Sequence, residues 1–145
     1  MIRPMRLDDI SAVAKIEQIC FSDPWSERLL QDSFKNPWNH FWAAENQDGL
    51  VIGYGVFSFI AGEGEIQRIG VVPQARRQGT ARDLMETMEA FAKGQKGYAL
   101  TLEVRSGNEA ARNLYKSCGF QEEAVRKEYY RHPVEDAVIM WKRDI

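Results

Sequence analysis

The chain has 145 residues, of which 44% are hydrophobic and 28% charged, and its formal charge is −2. That length gives room for one domain with a full core, no Pro/Gly/Ser-rich linker divides residues 1–145, and a single domain is expected. The charge argues against general nucleic-acid binding, and no apolar run approaches the length needed to cross a bilayer.

The N-terminal MIRPMRLDDI lacks the apolar core of a secretory signal, which points to a cytoplasmic protein. Two cysteines without a CxxC, and only two histidines, argue against a metal site or a disulfide framework and leave buried free thiols.

Arg3 to Arg6 can open a first strand. Asp8 or Asp9 then caps a helix whose apolar positions Ile10, Val13, Ile16 and Cys20 face inward and which ends near Phe21. Ser26 caps a second helix, with Leu29, Leu30 and Phe34 as its buried stripe and Asn36-Pro37 as its stop. Phe41 to Glu45 reads as a strand, Asn46 to Gly49 as a turn, and Leu50 to Ile60 as a long strand. Gly62 and Gly64 mark the next turn. Glu65 starts a strand through Ile66 to Val72, ended by Pro73, which cannot donate to a ladder; these strands form an antiparallel meander.

From Ala81 the period becomes helical, with Leu84, Met88, Phe91 and Ala92 on one face and Arg82, Glu86 and Glu89 on others. Gly94 and Gly97 punctuate a loop. Ala99 to Val104 then alternates, Leu100, Leu102 and Val104 on one side and Thr101 and Glu103 on the other. Asn108 caps a last helix with the inward stripe Ala111, Leu114, Tyr115 and Cys118, stopped by Gly119. Two strands, about Glu122 to Tyr129 and Asp136 to Lys142, close the sheet around the loop 131–135.

The stretch from Ile66 to Phe91 organises the rest. A strand passes through the basic turn Arg76, Arg77, Gln78, Gly79, Thr80 into a helix beginning with Ala81 and Arg82. The first turn of a helix has unpaired N–H groups and partial positive charge, Gly79 permits close approach of a ligand, and the arginines raise the potential, so a phosphate or pyrophosphate fits. A plain turn with solvated arginines is the other reading. The loop lacks both G-x-x-x-x-G-K-[ST] and a three-glycine dinucleotide fingerprint.

Arg76, Gly79 and Ala81 match the R/Q-x-x-G-x-G/A signature, and the chain resembles the GNAT family of acetyl-coenzyme A dependent N-acetyltransferases. LEVRSGNEAARNLYKSCGF from Leu102 to Phe120, and YYRHPVEDAVIM near the end, are similar to the bacterial ribosomal-protein-alanine N-acetyltransferases within it. The resemblance implies an α/β fold, a mixed and mostly antiparallel sheet with helices on both faces. It also implies acetyl-coenzyme A as co-substrate without a metal, and a ribosomal protein's N-terminal alanine as acceptor. Two alternatives stay open: a lysine or small-molecule amine as acceptor, and a coenzyme A binding module without catalysis.

By the same resemblance, main-chain groups of Ile69 and Val71, around a bulge near Gly70, pair with the pantetheine arm, while the turn from Arg76 to Arg82 takes the diphosphate. Asn108 either touches the cofactor or only caps its helix. Acetyl transfer needs a neutral amine; at pH 7 deprotonation costs about 1.4 kcal/mol for an α-amine and about 4.6 kcal/mol for lysine. Glu103, a carboxylate on a strand among apolar neighbours, is the candidate base, against a solvated glutamate at a sheet end. Tyr115 is the family's candidate acid for the departing thiolate, against a core tyrosine.

Tyr129, Tyr130, His132, Glu135 and Asp136 fall where the family's acceptor site lies, and either Glu135 or Asp136 can bind a cationic amine. Trp25, Trp38, Phe41 and Trp42 are dense; core packing explains most, and one or two can line a peptide groove.

Overall fold

The computed structural model describes residues 1–145. Strand β1 (Ile2–Pro4) leads through a 3-10 turn into helices α1 (Ile10–Cys20) and α2 (Glu27–Lys35). Strands β2 (Asn39–Glu45), β3 (Val51–Ile60) and β4 (Glu63–Val71) follow, and α3 (Thr80–Gly94) crosses to β5 (Ala99–Arg105). Helix α4 (Glu109–Ser117) precedes the hairpin of β6 (Gln121–Tyr130) and β7 (Glu135–Arg143). All seven strands form one sheet in the order β1-β2-β3-β4-β5-β7-β6. Every pair is antiparallel except β4 with β5, whose crossover is α3. The expected mixed sheet with helices on both faces is the one that forms.

Local chemistry sets the element ends. Ser26 Oγ accepts from Leu29 N at 3.0 Å and Asn108 Oδ1 from Ala111 N at 3.1 Å, so two of the three expected caps close their helices; Asp9 stands before α1 but makes no side-chain cap bond to it, its carboxylate being taken by Arg3 and Arg6 N. The β3–β4 turn is Ala61-Gly62, with φ of +53° and +83°, the two-residue geometry that matches strand twist. Gly64 therefore lies inside β4 and not in the turn. A Cβ there would stand 2.7 Å from Leu100 Cδ2 and 3.0 Å from Phe57, so a bare strand position lets β4 lie under that packing. Leu29 departs from the expected stripe and is exposed, leaving Leu30 and Phe34 to dock α2.

Each face of the sheet carries its own core. Phe57, Leu100, Leu102 and Met140 pack with Leu84, Met85 and Met88 of α3, and Ala111 and Tyr115 of α4 lie against the same cluster. On the opposite face Tyr54, Val56, Phe41 and Ala43 pack with Val13 and Ile16 of α1 and Leu30 of α2. Each buried Leu or Met contributes about 1.5–3 kcal/mol, well beyond differences in helix propensity, so packing fixes α3 in place.

His40 is half-buried among aromatic rings, 4.4 Å from Phe91 and 5.6 Å from Phe57 between centroids. Desolvation there holds its imidazole below the ordinary value of 6.5. The unfolded chain therefore takes up this proton first as pH falls through 6.5, and stability is lost in that direction. We expect His40→Phe to flatten the acid side of a urea-midpoint profile between about pH 7 and 5, the window set by the ordinary histidine value.

Candidate active site

β4 and β5 pair from Glu63↔Ala99 to Ile66↔Leu102, and there the ladder stops although both strands continue. At that point Gln67 is an extra residue opposite β3, between the pairs Phe57↔Ile66 and Val56↔Arg68, and a bulge of this kind bends its strand. The bulge is thus three residues before the expected position at Gly70. Gly70 itself pairs with Tyr54, and its missing Cβ leaves room for Ile16 and Phe21, whose nearest carbons would be 3.2 Å away.

Val72 N donates to Ile52 O at 2.9 Å, so by alternation Gly70 also faces β3 while Ile69 and Val71 turn N–H and C=O toward the gap. Val71 O is partly used, accepting from Arg76 Nε at 2.9 Å and from Cys20 Sγ at 3.4 Å.

The gap leads to the start of α3. Gly79 has φ +84°, and a Cβ built there meets nothing within 4 Å; its backbone conformation, not a neighbouring side chain, calls for glycine. None of the main-chain N–H groups from Arg77 to Arg82 donates to a protein acceptor, and the first helical bond at this end runs from Asp83 N to Gly79 O at 2.9 Å. No side chain caps this end, so these donors and the positive end of the helix dipole are open to an anion.

The arginines divide their work. Arg76 folds onto Val71 O, Arg82 donates to Ser117 Oγ at 2.6 Å, and Arg77 is exposed beside the open donors. A surface groove of about 520 Å³ adjoins the turn through Gln78, but Glu45 and Asp48 line it and repel phosphate.

Glu103 follows Leu102, the last residue of β5 that pairs with β4, itself pairs with Ile139 of β7, and lies opposite the face of Leu102, on the side of the sheet that carries α1. Its carboxylate is 3.9 Å from Arg126 Nη1 and its side chain is 21% exposed, open enough for water to reach. Glu65 shares this face through its pairing with Thr101; burial, then the Glu103 charge, push its carboxyl above the ordinary value against the pull of Arg126. Tyr130 is pushed up to about 12, by burial first and by the Glu103 carboxylate next.

Tyr115 is likewise pushed up to about 12, chiefly by burial, with Tyr130 and Cys118 adding to it. Its ring packs on Phe120 at 6.3 Å while part of its surface stays open. A phenol held that high stays protonated at neutral pH and can donate. The Glu103 charge thus raises Tyr130, and Tyr130 in turn raises Tyr115. Asn108 spends Oδ1 on its helix cap and is exposed.

Residues 10–120 match the model of the Acetyltransferase (GNAT) family. The chain belongs to that family. It is 35% identical over 141 residues to the putative [ribosomal protein bS18]-alanine N-acetyltransferase of Bacillus subtilis, covering 97% of this chain and 93% of the relative. The [ribosomal protein bS18]-alanine N-acetyltransferase of Escherichia coli K12 is 32% identical over 141 residues, covering 96% and 94%. The crystal structure of the Escherichia coli ribosomal-protein-S18-alanine N-acetyltransferase superimposes with a TM-score of 0.92 at 30% identity, over 99% of this chain and 93% of that one. Naa20 of Chaetomium thermophilum, solved with a bisubstrate analogue, gives 0.83 at 30% identity over 99% and 86%.

Several residues of this GNAT site escape sequence reading. Glu17 of α1 is fully buried, receives Trp25 N at 2.8 Å and the Tyr54 hydroxyl, and pairs with Arg68 Nη2 at 3.0 Å. Arg68 also donates to Asp23 O at 2.8 Å and stacks 3.9 Å from the Phe21 ring centroid. This network pins the α1–α2 connection beside the splayed part of β4. Its one sequence signal is a carboxylate on the inward stripe of α1, four residues after Val13. Glu65 announced itself only as the start of a strand.

The two C-terminal carboxylates are committed to their own surroundings. Glu135 accepts from Gly107 N at 2.6 Å and pairs with Arg105 at 3.1 Å; Asp136 accepts from Glu128 N at 2.9 Å and faces Lys127 at 3.3 Å. Each already has a cation and a main-chain N–H as partners, whereas Glu65 and Glu103 face one another's charge. Both cysteines are free and half-buried rather than buried. No helix is long and apolar enough to cross a membrane.

Proposed function

We propose that this chain transfers acetyl from acetyl-coenzyme A to the N-terminal α-amine of a protein, the N-terminal alanine of a small-subunit ribosomal protein being the acceptor its relatives' names suggest. The observation that carries the reading is the conjunction of open main-chain donors at residues 77–82 with a split sheet whose mouth holds Glu103. The cradle fits the coenzyme: its amides suit a diphosphate, and Ile69 and Val71 offer strand-like partners to the amides of a pantetheine arm. The bound coenzyme supplies an acetyl group already activated as a thioester.

Glu103 takes the proton that the acceptor ammonium must lose, through water, at a cost of only about 1.4 kcal/mol for an α-amine at pH 7. A free N–H on the gap side of β4 polarises the thioester carbonyl. Tyr115 gives its phenolic proton to the departing sulfur. No hydrogen bond joins either thiol to a general base, Cys20 Sγ meeting Val71 O and Arg76 and Cys118 Sγ meeting Arg82, so the amine attacks directly, with both substrates bound.

The test uses peptides that differ only at the first residue, each also carrying an internal lysine, incubated with isotopically labelled acetyl-coenzyme A and read by mass spectrometry. Label on the α-nitrogen, strongest for a first alanine, is the expected result. Label on lysine alone, or coenzyme binding without any transfer, contradicts the proposal and favours the two alternatives stated above.

A further inference from the structure

Beyond the groups that meet substrate, one side chain joins both walls of the cleft outside the split strands. Arg105 ends β5 two residues after Glu103, on the same face. Its Nη1 donates to Pro133 O at 2.9 Å and Glu135 Oε1 at 3.1 Å; its Nη2 donates to Arg131 O at 2.7 Å and Ser22 Oγ at 3.3 Å. The guanidinium carbon lies 4.6 Å from the Tyr130 ring centroid. One fork therefore holds the α1–α2 connection through Ser22 and the β6–β7 turn through Arg131 and Pro133. The same segments meet again where His132 Nε2 comes 3.9 Å from Asp23 Oδ1. From below, Arg68 holds the first wall by Asp23 O, and Gly107 N holds the second by Glu135.

We propose that Arg105 is a positioning residue that sets the spacing of these two walls, and so the fit of the acceptor's first residues beside Glu103. The proposal rests on the acetyl-transfer reading. A planar fork with five donors can span acceptors on both walls; an ammonium on a flexible stem cannot hold the same geometry. The bracket does not touch the coenzyme cradle, which lies on β4 and α3.

The experiment compares the full chain with Arg105→Lys in two readouts: steady-state kinetics with an alanine-first peptide and hydrogen exchange. The expected kinetic result is an acceptor KM raised about tenfold or more, a kcat within about threefold, and an unchanged KM for acetyl-coenzyme A, the pattern of lost uniform binding. The amides of Phe21 and Trp25, which donate to Glu17, and that of Gly107, which donates to Glu135, are expected to exchange faster together. An unchanged acceptor KM, or faster exchange confined to Gly107, overturns the proposal. Should the wild-type chain acetylate no amine at all, the functional reading fails, and the exchange data alone still decide whether Arg105 couples the walls.

Discussion

Tyr115→Phe is expected to lower kcat by about 10²–10⁴-fold, the range for a positioned general acid, with little change in melting temperature or coenzyme affinity. The ring keeps its packing on Phe120, so the loss isolates the hydroxyl. Because burial holds this phenol near 12, the wild-type rate should show no alkaline limb from Tyr115 below the ordinary tyrosine value near 10. Glu103→Gln should lower the rate most at acidic and neutral pH and recover as pH rises toward the amine's own pKa, where no base is needed. Turnover by Tyr115→Phe equal to wild type would remove the acid from the mechanism. Full kcat in Glu103→Gln across pH 6 to 9 would similarly remove the base, since about two to four orders of magnitude are being asked of each group.

Glu17→Ala is expected to be the most damaging change outside the catalytic groups, costing about 3–5 kcal/mol, the usual penalty for breaking a buried ion pair by removing one partner. The Tyr54 hydroxyl, Trp25 N and Arg68 lose their shared acceptor together, at a carboxylate that is itself fully buried. Against a domain stability of about 5–15 kcal/mol the loss is a large fraction, so the urea midpoint should fall steeply and the α1–α2 connection should open first. Glu17→Gln keeps one acceptor oxygen and should lose less. A midpoint for Glu17→Ala within error of wild type would mean that Arg68 finds solvent at no cost and that the network does not hold the wall.

The strand, turn and helix around Gly79 were readable because each announces itself: a β-branched run, a proline, a glycine and then a helical period. The face that Glu103 occupies followed from simple alternation on β5, its choice as base only from the resemblance, and the helix cap at Asn108 from its place before an apolar stripe. The split of the sheet was less visible, since its cause is Gln67, a polar residue in a run that already contains Arg68 and so breaks no pattern.

The bulge that the family resemblance implies near Gly70 forms at Gln67 instead, while Gly70 keeps its pairing with Tyr54 and its missing Cβ admits Ile16 and Phe21. Arg105 was hidden further still. Two of its acceptors are the carbonyls of Arg131 and Pro133, and main-chain oxygens carry no residue signature. Glu17 and Arg68 stand 51 positions apart, so their pairing is a property of the fold rather than of either stretch.

In the proposed function one continuous seat, from the gap side of β4 to the first turn of α3, holds coenzyme A. Titrating unlabelled coenzyme A into nitrogen-15 labelled protein and following each backbone amide tests it most directly. Saturable shifts are expected at residues 77–82, with Ile69 and Val71 moving with them and Gly70 much less, and 3′,5′-ADP reproducing only the 77–82 part. Shifts centred on the groove beside Glu45 and Asp48, or no saturable change anywhere, would contradict it.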